Sequence, residues 1–107
     1  MTDPVHLHLV SDSTGETVNA CARACLVQFR DIEPIEHVWS LVRSAKQMDK
    51  VLNGIRATPG PVLFTVMRDD LRTKLVEACQ DMNVPCIPVR DPVMHALAAH
   101  FGVPITG

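Results

Sequence analysis

Pro61-Val62-Leu63-Phe64-Thr65-Val66-Met67 carries one polar side chain, Thr65, in seven residues. The run is short for a helix, and its Val and Phe content favours a strand. A strand that is apolar on both faces has to be covered on both, which is the situation of a strand inside a parallel sheet flanked by helices. The flanks supply those helices. Upstream, Ser44 to about Arg56 brings Met48, Val51, Leu52 and Ile55 onto one face, and downstream Leu71, Leu75, Val76, Cys79 and Met82 repeat the three- and four-residue steps.

The same alternation extends to both ends. Val5 to Val10 reads as a first strand, followed by a polar turn and a helix from about Thr14 to Phe29, with Val18, Ala22, Cys25, Leu26 and Phe29 as its apolar stripe. Ile35 to Val42 is a second strand. Val84 to Val89 is a fourth, weakened by Pro85 and Pro88 and so expected at or near an edge. Val93, Met94, Leu97, Ala98 and Phe101 mark a last helix. Four strand-helix units with short connections predict a three-layer α/β domain, an open parallel sheet of about four strands in the order 2-1-3-4, Rossmann- or flavodoxin-like. Residues 1–107 form one domain on this reading. Gly102-Val103-Pro104-Ile105-Thr106-Gly107 starts another segment and stops, which suggests the N-terminal portion of a longer protein.

Composition narrows the classes. Of 107 residues, 47% are apolar and 21% charged, enough apolar surface to offset the ordering entropy of folding. Ten basic against twelve acidic residues give a net charge of −2, without the basic excess of a nucleic-acid binder. No apolar run is long enough to cross a bilayer, and Met1-Thr2-Asp3-Pro4 lacks the character of a signal peptide. A soluble, cytoplasmic protein is expected, with neither nucleic acid nor membrane as partner.

Cys21, Cys25, Cys79 and Cys86 contain no Cys-x-x-Cys pair, so reduced thiols packed as small core residues are expected. His6 and His8 share one strand face and would make half a metal site. No Asp, Glu or Cys at suitable spacing completes it, which favours packed or hydrogen-bonded histidines and no metal.

Ligands of open parallel sheets bind beyond the carboxyl ends of the strands, near the switch in strand order, here between strands one and three. Strand one ends in Ser11-Asp12-Ser13-Thr14-Gly15-Glu16-Thr17, strand two in Arg43-Ser44, strand three in Arg68-Asp69-Asp70 and strand four in Arg90-Asp91-Pro92. Hydroxyls, a glycine and a helix start suit a phosphate or other anion, which makes Ser11, Ser13, Thr14, Gly15, Thr17, Arg68 and Arg90 the anion-binding candidates. Asp12 and Glu16 would repel a bare anion. They fit better beside Mg²⁺ or a protein hydroxyl, with Asp12 as metal ligand or general base and the one candidate catalytic residue. The structural alternative is simpler. Ser13-x-x-Glu16 and Ser44-x-x-Gln47 read as capping boxes, Asp69 or Asp70 as a cap, Asp91-Pro92 as a helix start, and each arginine as the partner of the neighbouring Asp. Neither Gly-x-x-x-x-Gly-Lys-Ser/Thr nor Gly-x-Gly-x-x-Gly occurs.

The segment His8-Leu9-Val10-Ser11-Asp12-Ser13-Thr14-Gly15-Glu16-Thr17, with a helix ending in Gln28-Phe29, resembles the start of the pyruvate, phosphate dikinase regulatory proteins. These form one family with the phosphoenolpyruvate synthase regulatory proteins. Leu63-Phe64-Thr65-Val66 with Leu71-Arg72, then Cys86 and Asp91-Pro92-Val93-Met94, are similar to later landmarks of that family. The full Ser-Asp-Ser-x-Gly-Glu-Thr form leans towards the dikinase-directed branch.

The resemblance implies a bifunctional enzyme. It would use ADP to phosphorylate and inactivate pyruvate, phosphate dikinase on a threonine, and would reverse this with inorganic phosphate, releasing pyrophosphate. The family's glycine-rich nucleotide loop lies in its second half and has no counterpart here, so this chain resembles the N-terminal domain alone. Only Ser11 to Thr17 carry over from the family motif, as part of an active-site cleft or a target surface. Two other readings stand beside the enzyme fragment. One is a non-catalytic module that docks the target or pairs with a second copy along an open sheet edge. The other is a small-ligand α/β domain. Its receiver version is disfavoured because the third strand ends in Met67-Arg68 rather than in an aspartate.

Overall fold

The computed structural model describes residues 4–106, in which strand and helix alternate four times. The elements are β1 (His6–Ser11), α1 (Glu16–Leu26), β2 (Ile35–Trp39), α2 (Ala45–Ala57), β3 (Val62–Thr65), α3 (Asp69–Met82), β4 (Cys86–Pro88) and α4 (Asp91–Phe101). All strand pairings are parallel, in the order β2-β1-β3-β4. The apolar strand β3 is therefore interior and the proline-flanked β4 is an edge, as the sequence indicates.

The pleat of β3 divides the core. Val62, Phe64 and Val66 face α2 and α3, where Met48, Val51, Leu52, Ile55, Leu71, Leu75 and Cys79 close over them. Leu63 faces the other way, onto a smaller cluster of Leu7, Leu9, Val18, Ala22, Leu26 and Val89. Full burial of each large side chain, such as Phe64, Met48 or Ile55, contributes about 1.5–3 kcal/mol. Among the described residues, no helix is long and apolar enough to cross a membrane.

Element ends differ from the sequence expectation for local reasons. Helix α1 stops at Leu26 rather than Phe29, because Gln28 and Phe29 donate to the carbonyls three residues back and tighten the turn. Phe29 is swung into solvent, and Cys25 is exposed in the last turn while Leu26 meets the sheet. Strand β2 ends at Trp39 instead of Val42 because Leu41 adopts φ 57°, a left-handed conformation that breaks an extended chain. Strand β3 is shorter than Pro61–Met67: Pro61 has no N–H to give, and the Met67 N–H is taken by a side chain. Prolines 85 and 88 likewise confine β4 to three residues.

Caps were partly legible. Ser44 caps α2, its Oγ accepting from the Gln47 N–H at 3.1 Å. Ser13 does not cap α1, which starts instead from Gly15 in a left-handed conformation (φ 91°) with no side-chain cap. Asp69 and Asp70 lie in the first turn of α3 rather than at its cap, which is Arg68. Helix α4 departs most from expectation. It buries none of its residues, and Val93, Leu97 and Phe101, the apolar positions that mark it in the sequence, are exposed.

Candidate functional site

The carboxyl ends of β1 and β3 are bound together by a small set of hydrogen bonds. Ser11 is buried, and its Oγ accepts from the Ser13 N–H at 3.0 Å while lying 3.2 Å from Ser13 Oγ. The Asp12 N–H donates to the Thr65 carbonyl, and Asp12 Oδ2 accepts from the Met67 N–H at 3.0 Å. Asp12 thus ties the end of β1 to the end of β3. The chain leaving β2 closes on the same spot, with the Leu41 and Val42 N–H groups donating to the carbonyls of Ser13 and Ser11.

Two arginines join this crest. Arg43 Nε donates to the Asp12 carbonyl at 2.9 Å, and Arg68 Nη1 donates to the Arg43 carbonyl at 3.1 Å. Arg68 also makes a two-pronged pair with Asp70, at 2.6 and 2.7 Å, that is open to solvent and so weak. Asp70 holds Arg68 in its charged form, and Arg68 in turn keeps the Asp70 carboxyl below its ordinary range.

Beside these groups Ser13, Thr14 and Thr17 are exposed at the start of α1. The first N–H to bond back within that helix is that of Asn19, to Gly15, which leaves the N–H groups of Glu16, Thr17 and Val18 without helical partners. Exposed hydroxyls, first-turn amides and two guanidinium groups offer contacts for a phosphoryl group, while the carboxylates of Asp12 and of Glu16 in the same first turn oppose a bare anion.

The structure therefore brings together Ser11, Asp12, Ser13, Thr14, Gly15, Thr17 and Arg68. It sets Arg90 apart, at the end of β4 with β3 lying between it and β1. The Arg90 Nε is buried without a partner. Arg43 belongs to the crest although it was not among the singled-out residues; its place at the end of the second strand was the available signal.

Next to the crest, a cavity of about 320 Å³ opens between the ends of β3 and β4, lined by residues that include Met67, Asp69, Arg72, Asp91 and His95. Arg72 pairs with Asp91 there, lies 5.4 Å over the Phe64 ring, and holds the Asp91 carboxyl below its ordinary 3.8. Asp91 is thus neutralised by an arginine nineteen residues away rather than by Arg90. Sequence spacing gave no sign of that pairing.

A second polar cluster is built along the paired strands β1 and β2, with Thr58 after α2 closing it. His6, His37 and His8 stack with ring centroids 5.1 and 4.6 Å apart, and Trp39 stacks beyond His8. Trp39 Nε1–H donates to His8 Nδ1 at 3.1 Å, so His8 Nε2 carries the proton and donates to the Thr58 carbonyl at 2.8 Å. Burial is the main cause that pushes His8 below its ordinary 6.5, helped by the neighbouring His37 and His6. His6 Nδ1 and His37 Nε2 lie 2.9 Å apart and share one hydrogen bond. These are the packed, hydrogen-bonded histidines of the simpler sequence reading.

The fold is an open parallel α/β domain, with a crest of hydroxyls, first-turn amides and arginines at the switch in strand order. A family model described as Kinase/pyrophosphorylase matches residues 7–107, and the chain belongs to that family. It is 52% identical over 101 residues to a pyruvate, phosphate dikinase regulatory protein of Paramagnetospirillum magneticum, covering 94% of this chain and 32% of the relative. A protein of the same name from Rhodospirillum rubrum is 52% identical over 93 residues, covering 87% of this chain and 34% of the relative. One from Caulobacter vibrioides is 48% identical over 101 residues, covering 94% and 32%. The chain spans about a third of the length of these curated relatives.

Proposed function

We propose that this chain is part of a bifunctional enzyme that regulates pyruvate, phosphate dikinase, phosphorylating a threonine of the dikinase with ADP and removing it with inorganic phosphate to release pyrophosphate. The observation that carries this reading is the family match across residues 7–107, together with relatives near 50% identity that bear the name of dikinase regulators. Those names also favour the dikinase over phosphoenolpyruvate synthase as target.

On this reading the crest contributes contacts to a phosphoryl group. Thr14, Thr17 and Ser13 offer hydroxyls, the first turn of α1 offers amides, and Arg43 and Arg68 offer positive charge that strengthens as phosphate oxygens gain charge. Asp12 sets the separation of the two strand ends through Met67, and its carboxylate also suits Mg²⁺ or the proton of an attacking hydroxyl. Arg90 is assigned no contact with that phosphate. ADP is expected to be held mainly by residues beyond this chain, which contains no Gly-x-x-x-x-Gly-Lys-Ser/Thr loop.

A second reading, a docking surface without chemistry, draws on two pairings: Arg68 is already paired with Asp70, and Asp12 with the Met67 amide. Calorimetric titration of the chain with phosphate, pyrophosphate and ADP, each with Mg²⁺, separates the two. Binding of phosphate or pyrophosphate that is lost in Thr14→Ala and Arg68→Ala supports a phosphoryl crest. Absence of heat with all three supports docking.

A further inference from the structure

Helix α4 presents a feature that the crest does not use. Val93, Leu97 and Phe101 recur every four residues and form one stripe, exposed at 60%, 46% and 63%, with Val103 at 54% just beyond. Met94 and Ala98, next to that stripe, are half-buried. Helix α4 buries none of its residues, so its apolar positions find little cover within this domain. From the size of such side chains the bare stripe amounts to about 400 Å², the size of a typical monomer's largest apolar patch, which is often functional.

The area discriminates between occupants. A stable complex of two separate chains needs about 800 Å² per partner, roughly twice what the stripe supplies, so a second copy is a poor fit. Polypeptide joined covalently to the domain needs less, because its effective concentration is in the millimolar range or above. Contacts between domains of one chain are correspondingly small. The curated relatives carry such polypeptide, since this chain matches only about a third of their length.

From these observations we propose that the Val93–Leu97–Phe101 stripe of α4 is the seat on which the remaining two thirds of the relatives' polypeptide packs within the same molecule. The occupant presents an apolar surface, because no charged side chain lies on the stripe itself. The seat adjoins the cavity at the ends of β3 and β4, since Asp91, Met94 and His95 of the same helix line that cavity. Packing on α4 would thereby place the added polypeptide beside the crest.

Hydrogen–deuterium exchange tests the seat. In the 107-residue chain the amides of Asp91–Phe101 should exchange fast. In the full-length Paramagnetospirillum magneticum relative, the matching helix should exchange at least tenfold more slowly. A chimera of that relative carrying residues 7–107 of this chain should show the same protection, and Leu97→Glu with Phe101→Glu should abolish it. The same double substitution in the 107-residue chain should leave its midpoint of unfolding unchanged. Equal exchange in the chain and the full-length relative overturns the proposal. So does a dimer of the 107-residue chain at 100 μM, seen by light scattering and dissolved by Leu97→Glu, because the occupant is then a second copy. Neither result depends on whether the crest binds phosphate.

Discussion

Acid should weaken this fold through one residue, His8, at a pH where carboxylates do not yet titrate. His8 is fully buried between Trp39 and Thr58, accepting from the indole N–H and donating to a carbonyl. A second proton would have to sit on Nδ1, which faces the Trp39 N–H and would turn an accepted hydrogen bond into two opposed donors. The folded-state value is therefore lowered, whereas the unfolded chain takes up the proton near 6.5. Between those two values the unfolded state holds the extra proton, so stability rises with pH. The contribution is fully present above 6.5, falls as pH drops below it, and levels off beneath the folded value. Within the window the slope approaches, but does not exceed, about 1.4 kcal/mol per pH unit for one proton. Urea unfolding followed by the fluorescence of Trp39 between pH 7.5 and 5 measures it. His8→Gln can accept from Trp39 and donate to Thr58 without titrating, so it should flatten the slope in that range. Equal slopes in wild type and His8→Gln, or stability that rises on acidification, would refute the reasoning.

Three substitutions test other parts of the account. Gly60→Ala would place a Cβ 1.9 Å from the His6 carbonyl oxygen, a backbone atom of the central strand β1 that cannot step aside. A loss above about 3 kcal/mol is expected in the same urea assay; a near-neutral result would mean that this approach is not tight. Asp91→Asn leaves Arg72 without its anion in a part-buried site, and should cost about 1–3 kcal/mol at pH 7. Since the Asp91 carboxyl is held below 3.8, the difference from wild type should persist down to about pH 4 and close only under stronger acid. Gly15→Ala keeps ordinary van der Waals space around the new methyl but strains a left-handed backbone at φ 91°. It should cost about 1 kcal/mol, measurable as a lowered thermal midpoint.

What the sequence revealed followed from periodicity. The all-apolar Val62–Phe64 stretch and the prolines around Cys86 were sufficient for an interior strand, an edge strand and the order between them. The crest was legible for the same reason: strand ends in a parallel sheet share one rim, so Ser11–Thr17 and Arg68 had to lie on it. Tertiary choices were not legible. Asp91 selected Arg72 over its neighbour Arg90, and Asp12 selected the Met67 amide fifty-five residues away, through approaches that only the folded sheet creates. The His6–His37–His8 stack was half visible, since His6 and His8 alternate on one face. His37 joins them because the parallel register sets it opposite His8. Helix α4 misled because an apolar stripe reads the same whether its partner is this domain or something else.

The claim at the centre of the account is that the crest takes part in phosphoryl transfer to the dikinase. It is tested most directly in the chimera of the Paramagnetospirillum magneticum relative bearing residues 7–107 of this chain, by following incorporation of the β-phosphate of labelled ADP into pyruvate, phosphate dikinase. The account predicts transfer by the chimera, a loss of at least tenfold in kcat with Thr14→Ala or Arg43→Ala, and dikinase binding that stays intact. Undiminished transfer in both variants would contradict it and leave the crest no part in the chemistry.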